Sequence, residues 1–257
     1  KLIFTNLWSS ELSKLSANVF LAQRISSINT ISAICEVTGA DIKEVANAVG
    51  KDLRIGNKFL NSGPGFGGSC FKKDILNLVY LAKHFGLDEV ASFWESVIKI
   101  NNWQQKRIYE IVVKKLFGNL VDKKIAILGF AFKANTNDTR ESPAIEICKN
   151  LLNEGAKLNI HDFKVTKESI EKDLISEDNL NKELNWIFVD DIYEAFQDAD
   201  AAILITEWKK YKDLDWKKIR DKVKKPFWVF DTRSILNPKE MNSLEINFWQ
   251  LGYGNNN

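Results

Sequence analysis

The hydrophobic positions along the first part of the chain follow a helical period. From Glu11 to Ala33 there is no glycine or proline, and Leu12, Leu15, Val19, Ala22 and Ile25 recur every three or four residues. That spacing places them on one stripe of a long helix. Gly39 and Gly50 bracket a second helix, Asp41 to Val49, with Asp41 as its N-cap. The stretch from Asn61 to Cys70 breaks the pattern with Gly63, Pro64, Gly65, Gly67 and Gly68, and predicts a loop. Two more helices follow, one over Lys73–His84 ending at Gly86 and a longer one over Val90–Leu116.

Past Lys123 the period changes. Short apolar runs stand at Lys124–Phe130, Lys157–His161, Trp186–Val189, Ala201–Thr206 and Phe227–Phe230, with helical patterns between them at Ala144–Glu154 and Asp191–Asp198. This alternation predicts a parallel sheet with right-handed crossovers. Ser142-Pro143 reads as an N-cap followed by proline at the first helical position. The polar section Thr166–Lys182 reads as a surface excursion. With a boundary near Phe117–Asp122, the layout is α/β: a helical domain over residues 1–118, then a Rossmann-like domain over 119–257. The strand and turn at Leu128-Gly129-Phe130 resemble the first turn of a dinucleotide fold but lack G-x-G-x-x-G.

Composition narrows the class of protein. The 257 residues are 45% hydrophobic and 27% charged, the balance of a globular chain with a real core. A formal charge of +2 argues for neither a nucleic acid nor a membrane surface as partner. No segment approaches the ~20 apolar residues of a membrane span. Three cysteines make no complete disulfide framework, and two histidines without C-x-x-C or H-E-x-x-H spacing offer little to a transition metal. A reducing compartment, most simply the cytoplasm, is the expected location.

The segment Gly63 to Asp74 carries the most chemistry. Its glycines let a ligand approach the backbone closely. The loop then feeds a helix whose first amides are unpaired and partly positive. A thiol at that junction, with Lys72 and Lys73 beside it, favours the thiolate form a nucleophile needs. Spacing alone leaves Cys70 open to a structural reading, which is the reading for Cys35 and Cys148 inside apolar helical patterns. Lys14 and Asn18 are four apart and share a helix face. By spacing alone that face reads first as a solvated one, and Arg54 and Arg233 read first as partners in ordinary ion pairs.

Gly65 through Asp74 resemble the nucleophile motif of the UDP-glucose dehydrogenase family, G-F-G-G-S-C followed by an aromatic residue and then K-D. Four more segments are similar to that family, in the same order along the chain. They are Trp8–Asn18 with Phe20–Arg24, Arg54-Ile55-Gly56, Leu128–Lys133 with Asp138–Ser142, and Phe230–Arg233. The chain departs from the family pattern at Asn61, Pro64, Lys72 and Ala134-Asn135.

The resemblance implies oxidation of a sugar C6 alcohol to a carboxylate in two NAD-dependent steps, through a thiohemiacetal and a thioester on Cys70. It implies that Lys14 and Asn18 stabilise negative charge on a reacting oxygen. Asp74 would position the hydrolytic water or act as its base. It implies substrate contacts at Arg54, Gly65, Phe66, Gly67, Phe132, Lys133 and Arg233, with Arg54 reaching into a neighbouring subunit. The arginines suit a diphosphate because their planar fork donates two hydrogen bonds. Lys73 and Arg140 would lie toward the cofactor. The implied partners are UDP-glucose and a second copy of the chain, joined through the helical domain. The family's first domain, which carries the main NAD site and an acidic catalytic residue, would precede Thr5. The chain alone is therefore expected not to complete a turnover. A sister specificity for GDP-mannose or a UDP-N-acetylhexosamine, and a non-catalytic nucleotide-sugar-binding or dimerisation module, remain alternatives.

Overall fold

The computed structural model describes residues 2–175 and 185–254. Four helices come first: α1 (Leu7–Thr38), α2 (Ile42–Gly50), α3 (Phe71–His84) and α4 (Asp88–Lys115). Helix α1 starts at Asn6, whose side chain accepts from the Ser9 amide at 2.8 Å, and ends at Gly39 in the left-handed conformation. Asp41 caps α2 as its spacing predicts. Val19 and Ala22 of the predicted stripe are fully buried against Ile75, Val79 and Ala91 of α3 and α4. Hydrophobic burial of this one face holds the three helices together.

The remainder alternates strand and helix. In chain order it runs β1 (Lys124–Leu128), α5 (Pro143–Asn153), β2 (Lys157–His161), α6 (Lys167–Leu174), β3 (Trp186–Phe188), α7 (Ile192–Ala195) and β4 (Ala201–Leu204). It closes with α8 (Lys209–Lys212), α9 (Trp216–Arg220), β5 (Trp228–Asp231), α10 (Pro238–Ser243) and β6 (Asn247–Gln250). Among the described residues, six strands form one sheet, all parallel, in the order β3-β2-β1-β4-β5-β6. That is the doubly wound order of a Rossmann fold. Ser142 caps α5 and Pro143 follows it, as the sequence indicates.

Two elements correct the sequence reading. Part of the polar section Thr166–Lys182 is helix α6, which buries Ile170 and Leu174 against the sheet; residues 176–182 of that section lie outside the described residues. Ile170 and Leu174 are four apart, so one narrow stripe suffices and the other positions remain polar. Strand β6 is the other. It lies at the edge of the sheet, and only Phe248 and Trp249 at its middle are apolar, so its pattern is too short to register. Among the described residues, no helix is long and apolar enough to cross a membrane.

Candidate active site

In a doubly wound sheet, ligands bind outside the carboxyl ends of the strands where the strand order reverses. Here that point lies between β1 and β4. The segment after β1 carries Phe132, Lys133 and Arg140, the one after β4 carries Glu207, and the one after β5 carries Arg233. The Gly-rich loop of the helical half packs directly onto this edge. A Cβ on Gly67 would stand 2.4 Å from the Glu141 carbonyl oxygen and 2.9 Å from Phe132 Cβ, so only glycine fits. The Gly68 amide donates to the Arg140 carbonyl at 2.7 Å. Gly63 lies against Arg233 Nη1.

The loop is not a surface feature. Residues 62–68 are all buried, so their backbone groups need partners other than water. Side chains of the surrounding helices supply them. Asn29 on α1 accepts from the Gly63 amide at 2.9 Å. Asn101 on α4 accepts from the Phe66 amide at 2.7 Å and donates back to the Phe66 carbonyl at 3.2 Å. Gln104, one turn on, donates to the Gly63 carbonyl at 2.9 Å. Each such bond contributes on the order of 1 kcal/mol net, and leaving its buried partner unmade costs more.

The loop delivers Cys70 to the N-terminus of α3. Its thiol is exposed and lies 3.6 Å from Ser69 Oγ, whereas Cys35 and Cys148 are buried. Burial pushes both of those thiols up, Cys148 far above the usual thiol range. One turn into α3, Asp74 is 1% exposed and accepts from Lys14 Nζ at 2.6 Å and Asn18 Nδ2 at 2.5 Å. Burial pushes the Asp74 carboxyl up, but those two hydrogen bonds and the Lys14 charge outweigh it and hold the group below its ordinary value. The hydrogen bond to Asp74 raises Lys14, with smaller contributions from Asp74 and Cys70 charge. The structure thus joins Lys14, Asn18 and Asp74 into one ionic cluster within electrostatic reach of Cys70.

On the sheet side, Arg233 Nε donates to the Ile205 carbonyl at 2.6 Å and lies 3.1 Å from Glu207 Oε2, while Nη2 reaches the Phe132 carbonyl at 3.3 Å. Burial pulls this guanidinium down from its usual value. The Lys133 ammonium sits 5.3 Å from the centre of the Phe132 ring. Arg140 is clamped by Asp138 through Nε at 2.9 Å and Nη2 at 2.7 Å, and Cys70 charge acts on it. Lys73 is exposed, and its charge acts on Asp74. Lys72 pairs with Glu141 at 2.7 Å, a further bond between the two halves. Behind this bond, between α4 and α5, lies a cavity of about 540 Å³ lined by Phe66, Asn101, Gln105 and Tyr109 among others.

Arg54 stands apart. It occupies the turn after α2, its side chain is 89% exposed, and it pairs with Asp52 at 2.6 Å. Arg24 of α1 holds that turn through the Ile55 and Gly56 carbonyls at 2.7 and 2.8 Å. Sequence reasoning missed Asn29, Asn101, Gln104, Glu141 and Glu207. The first three carried a signal, since they are polar residues interrupting apolar helix faces.

The turn after β1 is engaged within the protein itself. Asp162 Oδ2 accepts from the Phe130 and Ala131 amides at 2.7 and 3.1 Å, and from Trp208 Nε1 at 3.3 Å. Those are the amides that a dinucleotide phosphate would use at such a turn. This turn does not fit the pyrophosphate of NAD, and His161-Asp162 is structural.

A buried glycine loop that packs onto the carboxyl edge of a parallel sheet and ends in an exposed thiol defines an α/β protein whose two halves meet at that edge. Comparison with known proteins gives the family. Two family models match, the central domain of the UDP-glucose/GDP-mannose dehydrogenase family over residues 8–103 and its UDP binding domain over residues 126–238. The chain belongs to the UDP-glucose/GDP-mannose dehydrogenase family. It is 54% identical to UDP-glucose 6-dehydrogenase of Gallus gallus over 255 residues, covering 98% of this chain and 51% of that one. It is 49% identical to UDP-glucose 6-dehydrogenase 2 of Arabidopsis thaliana over 269 residues, covering 98% and 55%. The solved UDP-glucose dehydrogenase of Pyrobaculum islandicum superposes with a TM-score of 0.78 at 29% identity, over 95% of this chain and 51% of that one. The chain thus spans about half the length of the relatives it matches.

Proposed function

We propose that this chain is the thiol-bearing and nucleotide-sugar-binding portion of an NAD-dependent UDP-glucose 6-dehydrogenase. Residues 1–118 form its central domain and residues 119–257 its UDP-binding domain. The observation that carries the reading is the exposed Cys70 thiol one helical turn before the buried Asp74, which Lys14 and Asn18 grip, at the end of a glycine loop packed against Phe132 of the other half.

In this reading Arg233, Lys133 and Phe132 hold the UDP moiety, and the backbone of Gly65, Phe66 and Gly67 lines the sugar. NAD, when bound, supplies the hydride acceptor for both oxidations, its main platform lying outside this chain. Lys73 and Arg140 fit the charge of its phosphates, being exposed cations beside the thiol. Cys70 sulfur adds to the aldehyde carbon of the half-oxidised sugar, and the carbonyl oxygen takes a proton to give the thiohemiacetal. Lys14 and Asn18 donate toward the oxygen as charge develops on it. After the second oxidation the same sulfur carries a thioester. Water attacks its carbonyl, the carbon–sulfur bond breaks, and the products are the carboxylate, the free Cys70 thiol and one proton released to solvent.

Asp74 positions that water rather than acting as its base. A carboxylate held below its ordinary value is a poor proton acceptor at neutral pH. Its Oδ1 is buried and has no hydrogen-bond partner among the described residues, an unused acceptor that a water admitted to the site would satisfy.

The partner is a second copy of the chain, docked on α1, where Phe20, Ile34 and Val37 are exposed apolar residues. Arg54, projecting from its turn beside α1, then reaches the second copy's crevice. The cytoplasm is the corresponding location.

Titration calorimetry with UDP-glucose and GDP-mannose, paired with alkylation of Cys70 in their presence, tests this reading. UDP-glucose is expected to bind and to slow modification of Cys70. Preference for GDP-mannose moves the substrate to the sister class, and failure of both to bind refutes the reading.

A further inference from the structure

The segment after β6 leaves the sheet and crosses onto the helical half. The Gly252 amide donates to Glu36 Oε1 at 2.8 Å, the Ile42 amide to the Gly252 carbonyl at 2.9 Å, and the Gly254 amide to the Ala40 carbonyl at 2.8 Å. Tyr253 pairs with Asp41 in an isolated antiparallel bridge. A Cβ on Gly252 would stand 2.3 Å from Ile42 Cγ2, so the seam has no room for a side chain there. Glu36 is itself held by Arg107 of α4, and the two side chains are only 9% and 13% exposed. An ion pair this buried cannot lose one partner without stranding the other.

Both ends of this seam lead to the crevice. On the sheet side, the Leu251 amide donates to the Asp231 carbonyl at 3.0 Å, and Gln250 Nε2 donates to Asp231 Oδ2 at 3.0 Å. Asp231 Oδ1 accepts from the Arg233 amide at 3.0 Å, and Ser234 Oγ donates to the Leu251 carbonyl at 3.1 Å. On the helical side, Arg107 Nη1 donates to Gln104 Oε1 at 3.4 Å, and Gln104 donates to the Gly63 carbonyl at 2.9 Å. Gly63 lies against Arg233 Nη1, which is 3.1 Å from where a Cβ would stand. The contacts close a ring that starts and ends at Arg233, passing through Asp231, Gln250–Gly252, Glu36, Arg107, Gln104 and Gly63.

We infer that Glu36 and Arg107, clasping Gly252, form a latch that sets the gap between Arg233 and the thiol loop. They are positioning residues for the substrate-binding arginine and touch no substrate themselves. The inference rests on the reading of Arg233 as a UDP contact. The ring makes it physical. The Arg233 backbone is fixed to Asp231 and the Gly63 carbonyl to Gln104, so displacement at the Glu36 seam is carried to both walls of the crevice rather than absorbed in a hinge.

The test measures UDP affinity by calorimetry and amide hydrogen exchange in the 257-residue chain and in Glu36→Ala, Glu36→Gln and Arg233→Ala. Glu36→Ala is expected to weaken UDP about fivefold or more, and to have no further effect in the Arg233→Ala background, the non-additivity of a shared structural unit. Glu36→Gln retains an acceptor for the Gly252 amide and is expected to recover part of the loss. It also carries the comparison if the alanine variant does not fold. Exchange is expected to rise at the Arg233, Leu236 and Gly63 amides as well as at residues 252–254. Unchanged UDP affinity in a folded variant, additive losses with Arg233→Ala, or exchange confined to the seam would each overturn the latch. If the parent chain does not bind UDP, the reading of Arg233 fails separately. Exchange spreading from Glu36→Ala or Glu36→Gln to Arg233 and Gly63 then still supports the latch, and exchange confined to the seam still rejects it.

Discussion

Lys14 on α1 and Asp74 on α3, 60 residues apart in sequence, meet at 2.6 Å, and the ammonium is largely exposed while the carboxylate is almost wholly buried. The asymmetry divides their duties. Asp74 is locked in place by the helix packing, and Lys14 keeps one side toward solvent. Asn18, four residues on, completes the grip on the same carboxylate oxygen.

Replacing Asp74 by Asn keeps the shape and removes the charge. Chemical denaturation at pH 7 is expected to show a loss of about 1–3 kcal/mol, the usual cost of leaving a buried polar group, here the amide at position 74, without matched partners. A change below 0.5 kcal/mol, within the ordinary range for surface sites, would mean the cluster contributes little to the fold.

The same variant fixes the sign of the acid response. Asp74 lies below its ordinary value in the folded protein, so its contribution is fully present above the unfolded-state value, about 3.9 for Asp. It is lost as pH falls through the lower folded value. The stability gap between the parent and Asp74→Asn is therefore expected to be constant from neutrality to the upper edge of that range and to narrow below it. A gap that widens toward acid would reverse the assignment.

Cysteine alkylation separates one thiol from three. Cys70 is exposed at a helix N-terminus, whereas Cys35 and Cys148 are enclosed in the helical and sheet cores. Iodoacetamide under native conditions is expected to add one mass increment per chain, mapping to Cys70, with the other two reacting only after denaturation. Early modification of Cys35 or Cys148 would contradict the packing.

Much of this was legible in the residues. The strand from Lys157 to His161 and the Asp41 and Ser142 caps carry local signals, and the structure reproduces them. The family motif likewise brought Cys70, Lys14, Asn18, Asp74, Phe132 and Arg233 together as candidates. What the residues did not reveal is how the site is held. The glycine-rich stretch reads as a loop, and nothing in its own residues shows that positions 62–68 are buried. The reason lies in partners 34 to 41 positions away, Asn29, Asn101 and Gln104, and no local window connects them. Glu207 is similar. Its role beside Arg233 arises from the neighbouring of β4 and β5 in the sheet, which strand order alone creates.

Arg233 tests whether a fork or a charge is needed. Its guanidinium serves the Ile205 and Phe132 carbonyls and Glu207 together, which one ammonium cannot reproduce. Arg233→Lys is expected to weaken UDP at least tenfold by calorimetry, about 1.4 kcal/mol. Retention of full affinity would assign UDP to another part of the crevice.

Gly67→Ala probes the contact between the halves most directly. The added methyl would stand 2.4 Å from the Glu141 carbonyl oxygen and 2.9 Å from Phe132 Cβ, and the first of these is backbone that cannot swing aside. Either the loop lifts from the sheet edge or the segment after β1 shifts. Overpacking of this kind costs about 1–3 kcal/mol, so the thermal midpoint is expected to fall. The more telling readout is local. Lifting the loop breaks the bond from the Gly68 amide to the Arg140 carbonyl, so that amide is expected to exchange with solvent faster while the β1–β4 amides stay protected. UDP affinity should fall in parallel, because Gly63 and Phe132 both border Arg233. A variant with native stability and an unchanged Gly68 amide would show that the two halves do not meet at Gly67 as described.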